Sequence, residues 1–269
     1  MKSNLLLRVT SALILAPIVL CSIYYGKNDY EIPLYSLMLA VMGTGLAWEW
    51  GYMFQKKGSA CQLAIAFTAT VTAMRTEVDP SFCLWFILLG TAVVYGLSKH
   101  LKFALGVPYI CLPILSLGYI YYVRENVTWE IVMWLLFVVW ATDVGGYVVG
   151  KTVGGPKLAP KISAKKTWSG LFGAILFAMG IAYVFALYLK AYNILQVDMV
   201  RLVGSAGVLA VVAQIGDFFE SAIKRKLGLK DSSQLIPGHG GLFDRVDGLL
   251  FAAMATALVV AVINNGWMI

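Results

Sequence analysis

Residues 129–150 read Trp-Glu-Ile-Val-Met-Trp-Leu-Leu-Phe-Val-Val-Trp-Ala-Thr-Asp-Val-Gly-Gly-Tyr-Val-Val-Gly. At 1.5 Å per residue such a run crosses a hydrocarbon core of about 30 Å as a single helix. Its second half carries Asp143, an acid that costs about 2.5–3.5 kcal/mol on membrane-insertion scales and therefore needs a reason to be there. Both features, a spanning apolar run and an acid inside it, recur along the chain.

Eight further apolar segments are read near 9–26, 32–54, 60–74, 81–98, 103–123, 170–189, 202–223 and 247–264, the third being the shortest. The bulk composition agrees: 60% of the 269 residues are hydrophobic and 13% are charged, about half the charge of a soluble domain. Too few polar groups are present to cover a water-facing surface, so lipid must solvate much of it. The expected fold is an all-α integral membrane protein of about nine transmembrane helices with a cytoplasm-facing polar cavity. Residues 1–26 place two basic residues before an apolar run without a convincing cleavage site, which reads as a retained first helix. Residues 1–128 are expected to form N-terminal transmembrane helices, and residues 129–269 catalytic helices with cytoplasmic loops at 151–169 and 224–246. Cys21, Cys61, Cys83 and Cys111 all fall in apolar runs with no Cys-x-x-Cys pair and read as small buried or lipid-facing side chains.

With the N-terminus inside, sixteen of the 21 Lys and Arg fall on one side of this layout and five on the other. The positive-inside rule then places the N-terminus and both long loops in the cytoplasm. The net charge of +7 therefore sits at membrane boundaries, which argues against a nucleic-acid partner.

Chemistry is concentrated in one charged stretch, Lys224 to Asp247, and in the helical stripe that leads into it. Asp217, Glu220, Ser221 and Lys224 are spaced i, i+3, i+4, i+7 and share one helical face. One such acid would read as an intrahelical salt-bridge partner; two acids, a hydroxyl and a lysine read as the wall of a polar site. Pro237-Gly238-His239-Gly240-Gly241 cannot be helical, and its glycines let the backbone turn N–H groups toward an anion. Asp244 and Asp247 follow at i, i+3. Alone they would read as acids favoured by a helix N-terminus; near lysines and a glycine turn they suit Mg²⁺ held between protein and phosphates. His239, flanked by glycines, suits a phosphate or a carboxylate partner rather than a metal. Glu49, between Trp48 and Trp50, reads as a structural acid facing a wet cleft or paired with a neighbouring helix.

The other long loop contains Lys157-Leu-Ala-Pro-Lys-Ile-Ser-Ala-Lys-Lys-Thr-Trp-Ser-Gly170. Its lysines could serve anionic lipid heads, but Ser163, Lys165, Lys166 and Thr167 together favour a phosphate clamp. Asp143, Tyr147 and Lys151, at i, i+4, i+8, line the helix that feeds it. Gly145-Gly-Tyr-Val-Val-Gly150-Lys151-Thr152 matches the phosphate-loop pattern G-x-x-x-x-G-K-[ST]. That loop must follow a strand and open a helix, whereas this match closes an apolar helical run.

Ser221-Ala-Ile-Lys224-Arg225, Lys230-Asp231, Pro237-Gly-His-Gly-Gly241 and Asp244-Arg-Val-Asp247 together resemble the signature of the phosphatidate cytidylyltransferase (CDP-diacylglycerol synthase) family. Gly216-Asp217-Phe-Phe-Glu220 and Leu158-Ala-Pro-Lys-Ile-Ser-Ala-Lys-Lys-Thr167 look like the same family. Two positions depart from it: Ala164 stands where the family has Pro, and Ser169 where it has Glu. The resemblance implies that CTP and phosphatidic acid give CDP-diacylglycerol and pyrophosphate with Mg²⁺, a second cation being left open. It implies catalytic roles for Asp217, Asp244, Asp247, Lys224, Arg225 and His239. Asp217 and Asp244 would be the metal ligands, with Asp247 and Asp143 as further or supporting ligands. Substrate would be bound by Ser163, Lys165, Lys166, Thr167, Ser221, Lys230, Asp231, Gly240, Gly241 and Arg245. The implied setting is a bacterial inner membrane, with a homodimer as the expected assembly. A transporter of a phosphorylated anion is the alternative from another class, but transporters carry paired, interrupted halves, and here the polar features crowd into the second half.

Overall fold

The computed structural model describes residues 2–26, 34–55, 59–76, 79–123, 129–160, 162–192, 194, 198–236 and 240–264, with side chains described from residue 13 to residue 262. In order, these form α1 (Lys2–Tyr24), α2 (Leu34–Met53), α3 (Ala60–Arg75), α4 (Pro80–Ser98), α5 (Leu101–Ala104), α6 (Gly106–Tyr122), α7 (Trp129–Thr152), β1 (Lys157–Ala159), β2 (Ser163–Thr167), α8 (Trp168–Ala191), α9 (Met199–Lys226) and α10 (Phe243–Asn264). A helix is the economical answer for such runs, because it satisfies its backbone groups internally where water is absent. Helix ends follow local chemistry: Asp79 caps α4 by accepting from the Ser81 and Phe82 amides at 3.0 Å each. Pro80 opens that helix, and Lys99 closes it at φ 54°.

Six stretches are long and apolar enough to cross a membrane among the described residues: Pro80–Ser98, Leu101–Tyr122, Trp129–Thr152, Trp168–Ala191, Met199–Lys226 and Phe243–Val262. The first three expected segments correspond to α1, α2 and α3. The apolar part of α1 with described side chains is the short Leu13–Tyr24. Helix α2 has the length but is diluted by Glu49, Thr44 and glycines. Helix α3, at 16 residues, spans about 24 Å, short of a full hydrocarbon core.

Contacts divide the chain into two units, Met1–Trp129 with Lys226–Val246, and Glu130–Arg225 with Asp247–Ile269. In the first, α6 packs against α2, α3 and α4. The most apolar window is 67% buried in the stretch containing α6 and 17% buried in α4, whose Trp85, Leu88 and Leu89 face outward. The α6 interior is pinned by Tyr121 stacked on Tyr35 at 4.1 Å, and by their hydroxyls donating to Ile23 O (3.0 Å) and Leu117 O (3.2 Å). Phe243 ties the late segment into this unit: it is fully buried, parallel to Tyr109 at 5.6 Å and 6.0 Å from Trp50.

In the second unit, small residues let helices touch. A Cβ on Gly145 would lie 2.6 Å from the Gly173 carbonyl oxygen, and one on Gly170 would lie 2.9 Å from that of Gly146. The glycines that resemble a phosphate loop are thus helix-packing residues of α7 against α8, the usual role of small residues in lipid. Helix α7 runs on through Lys151 and Thr152. The stretch after it, expected as a loop, forms an antiparallel hairpin pairing Lys157 with Thr167 and Ala159 with Ser163. Three of the four cysteines, Cys61, Cys83 and Cys111, are buried, as packing residues should be.

Candidate active site

The second unit holds a cavity of about 490 Å³ built from three sources. Helix α7 contributes Asp143, Tyr147 and Lys151, the hairpin contributes Lys157, Lys165, Lys166 and Thr167, and α9 contributes Gln214 and Asp217. Asp143, Tyr147 and Lys151 sit on successive turns of α7, and the Lys151 ammonium donates to the Tyr147 hydroxyl at 3.2 Å. An intramembrane acid open to a polar cavity escapes the cost that lipid would impose. The hairpin is short enough to bring two adjacent lysines to the cavity, and Thr167 ends it by capping α8, its hydroxyl accepting from the Gly170 amide at 3.1 Å. Ser169 is bonded to Thr167 at 3.0 Å and donates to the Gly154 carbonyl. The residue that replaces a carboxylate therefore ties the hairpin base together instead.

Asp217 is the electrostatic centre of this cavity. It forms an ion pair with the Lys166 ammonium and accepts from the Ser221 hydroxyl at 3.2 Å, one turn along α9. Lys166 is held further by Gln214 Oε1 at 2.8 Å and by the Phe218 ring face, 4.4 Å from its centroid. Gln214 was not foreseen as a site residue, although its signal was present: it lies one turn before Asp217 on the same face. Asp247 feels the charges of Asp217, Asp143 and Glu220. It comes near because Gly216 lets α10 approach; a Cβ there would lie 2.6 Å from the Asp247 carbonyl oxygen. Lys224 and Glu220, the rest of the α9 stripe, form a buried ion pair at 2.5 Å. Arg225 is exposed at the end of the helix.

The first unit holds the glycine-turn segment. Lys230, Asp231 and Arg245 are exposed, while Ser232 and Ser233 are buried. Asp244 Oδ2 accepts from the Ser232 amide (3.0 Å), the Ser232 hydroxyl (3.0 Å) and the Gly241 amide (2.9 Å). Glu49 of α2, fully buried, accepts from Ser233 Oγ (2.5 Å), Ser232 Oγ (3.2 Å), Leu242 N (2.7 Å) and Phe243 N (2.7 Å). Of the two expectations for Glu49, pairing with a neighbouring helix is the one seen: it accepts from the start of α10 and from the serines of the loop before it. Gly241 is required by space, since a Cβ there would lie 1.7 Å from Ser232 Oγ, and Gly240 by its φ of +89°. His239 lies outside the described residues.

Among the described residues no group of three or more His, Cys, Asp or Glu is arranged to hold a metal by itself. Two carboxylates, Asp143 and Asp217, do face one cavity. That set suits Mg²⁺, which takes one or two carboxylates and completes its shell with phosphate oxygens and water.

The sequence model of the Cytidylyltransferase family matches residues 6–263. The chain is 32% identical over 274 residues to a phosphatidate cytidylyltransferase of Brucella suis, covering 97% of this chain and 94% of that protein. It is 29% identical over 255 residues to a phosphatidate cytidylyltransferase of Rickettsia felis, with 94% and 90% covered. A Staphylococcus epidermidis protein of the same name is 31% identical over 209 residues, with 76% and 69% covered.

Proposed function

The chain belongs to the Cytidylyltransferase family, and on that premise we propose that it transfers the cytidylyl group of CTP to phosphatidic acid, giving CDP-diacylglycerol and pyrophosphate. The observation that carries the chemistry is the cavity in which Asp143, Lys151 and Asp217, on helices long and apolar enough to cross a membrane, meet Lys157, Lys165 and Lys166 of the hairpin. Such a cavity lets a lipid headgroup meet a polyanionic nucleotide while the acyl tails stay in lipid.

A phosphate oxygen of phosphatidic acid attacks the α-phosphorus of CTP, the bond from that phosphorus to the bridging oxygen of the β-phosphate breaks, and pyrophosphate leaves with the electron pair. Placement and charge neutralisation supply most of the catalysis in such a displacement. Lys165 and Lys166 neutralise phosphate oxygens, and Lys151 and Lys157 widen the cationic wall. Thr167 and Ser221 give hydroxyls to the same end, and Ser163 stands at the start of the strand that carries the clamp. Asp143 and Asp217, supported by Asp247, would hold Mg²⁺, which when bound supplies positive charge to the leaving pyrophosphate. Lys166 then has to leave Asp217 for the nucleotide, an exchange of one cation for another. The roles of Lys224, Arg225, Lys230, Asp231, His239, Gly240, Gly241, Asp244 and Arg245 in handling substrate phosphates, and of Asp244 as a metal ligand, are carried over from the resemblance.

The same reading includes nine spans, a bacterial inner-membrane setting, a cytoplasmic N-terminus, a cavity open to the cytoplasm where CTP is found, and a homodimer. Cytoplasmic-side labelling of a Lys157→Cys variant in sealed inverted vesicles, absent from right-side-out vesicles, is the expected result for that sidedness. The activity is tested by incubating purified protein with labelled CTP and phosphatidic acid, with and without EDTA. Formation of CDP-diacylglycerol that stops on chelation is expected; no product with Mg²⁺ present sinks the assignment.

A further inference from the structure

We propose that Glu49 is a positioning residue for this reaction: from α2 it holds Ser232, Ser233, Leu242 and Phe243 and, through the Ser232 hydroxyl, sets the orientation of the Asp244 carboxylate. The proposal rests on the reading of that segment as part of the cytidylyl-transfer site.

Three observations carry it. First, Glu49 is fully buried, and among the described residues no Lys, Arg or His forms an ion pair with it. A buried carboxylate without a cation persists only where hydrogen bonds replace its hydration, and here four donors converge on it, all from residues 232–243. Second, two of those donors are the Leu242 and Phe243 amides, at the start of α10. They are among the amides that a helix start leaves without an intrahelical partner. The Leu242 side chain offers no acceptor, and Glu49, 193 and 194 positions earlier in the chain, satisfies these two amides. Third, the Ser232 hydroxyl lies 3.2 Å from Glu49 and 3.0 Å from Asp244. One hydroxyl has one proton to donate, so the two carboxylates share it. Asp244 Oδ2 also receives the Ser232 and Gly241 amides. Moving Glu49 therefore moves Ser232, and moving Ser232 releases the amide and hydroxyl bonds it gives to Asp244.

The test uses the full-length protein in detergent or lipid, with Glu49→Gln, Glu49→Asp and Ser232→Ala. Glutamine keeps the size but aims an NH₂ group at backbone donors. Amide hydrogen exchange at Leu242 and Phe243 is expected to accelerate at least about tenfold in Glu49→Gln. Its kcat is expected to fall by about 10²-fold, the scale of a 1 Å misplacement at a reacting centre, with KM for phosphatidic acid within about twofold. Glu49→Asp recovers part of kcat, which a purely packing role would not predict. Ser232→Ala lowers kcat while leaving Leu242 and Phe243 slow to exchange. Unchanged exchange in Glu49→Gln, or faster exchange with wild-type kcat, overturns the proposal. If Glu49→Gln does not fold, wild-type kcat in Ser232→Ala overturns it instead. Should wild-type protein make no CDP-diacylglycerol, the proposed function falls, while the exchange measurement still decides whether Glu49 holds the loop.

Discussion

In the first unit the Glu49 and Asp244 carboxylates face backbone amides and serine hydroxyls, whereas in the second the Asp217 carboxylate faces a lysine ammonium and a serine hydroxyl. The difference lies in what each partner is free to do. Backbone amides at 2.7–2.9 Å cannot leave without unravelling the start of α10. An ammonium on a four-carbon stem can swing to a phosphate and be replaced by another cation. Glu49 and Asp244 are built to stay, and Asp217 is built to exchange partners.

The largest expected effect comes from the exchanging side. Asp217→Asn should reduce the rate of CDP-diacylglycerol formation by about 10³-fold, the upper range for one electrostatic group at a reacting centre. The thermal midpoint should move by no more than about 2 °C, because the group is partly open to the cavity. Full activity in that variant would remove Asp217 from the site and erase the contrast. Lys166→Gln should cost about 10²-fold, with Lys166→Arg recovering part, because the charge serves a phosphate once it leaves Asp217. Hydrogen exchange in residues 232–243 should be unaltered in both, and acceleration there would show that the two arrangements are not independent.

The next effects come from the fixed side and from the hairpin base. Gly241→Ala places a methyl group onto Ser232 Oγ and should lower stability by about 1–3 kcal/mol, the usual range for overpacking. Rate and melting temperature should fall together, in contrast to Asp217→Asn. Thr167→Ala removes the α8 cap and should cost about 1 kcal/mol, read from chemical denaturation, with Thr167→Ser close to wild type. If Thr167→Ala leaves stability unchanged but weakens CTP binding, its hydroxyl serves the ligand rather than the helix.

Legibility in the sequence followed the range of the interaction. The α9 stripe was readable because i, i+3 and i+4 neighbours meet on any helix: Ser221 does bond Asp217, and Lys224 does pair with Glu220. Asp143, Lys165, Lys166 and Thr167 were readable from residue type beside an apolar run, and the fold brings them to one cavity with Asp217. The hairpin was not readable, since its two strands are three and five residues long and a strand gains definition only from its partner. Gln214, a single amide in an apolar helix, shows its role only through its contact with Lys166. The glycines of α7 misled in form only, because a pattern for binding phosphate and a pattern for helix contact use the same small residue.

By itself, the sequence determined the helical, lipid-solvated character of the chain and the identity of its reactive groups. Those depend on composition and on a period of 3.6 residues, both local properties. Only the tertiary structure decided which groups hold each other. Lys166 meets Gln214 across 48 positions and Glu49 meets Ser232 across 183, pairings that no local period encodes. Glu49 shows the physical reason. An acid in an apolar helix announces that something must satisfy it, and the donors that do so become known only when the chain has brought them there.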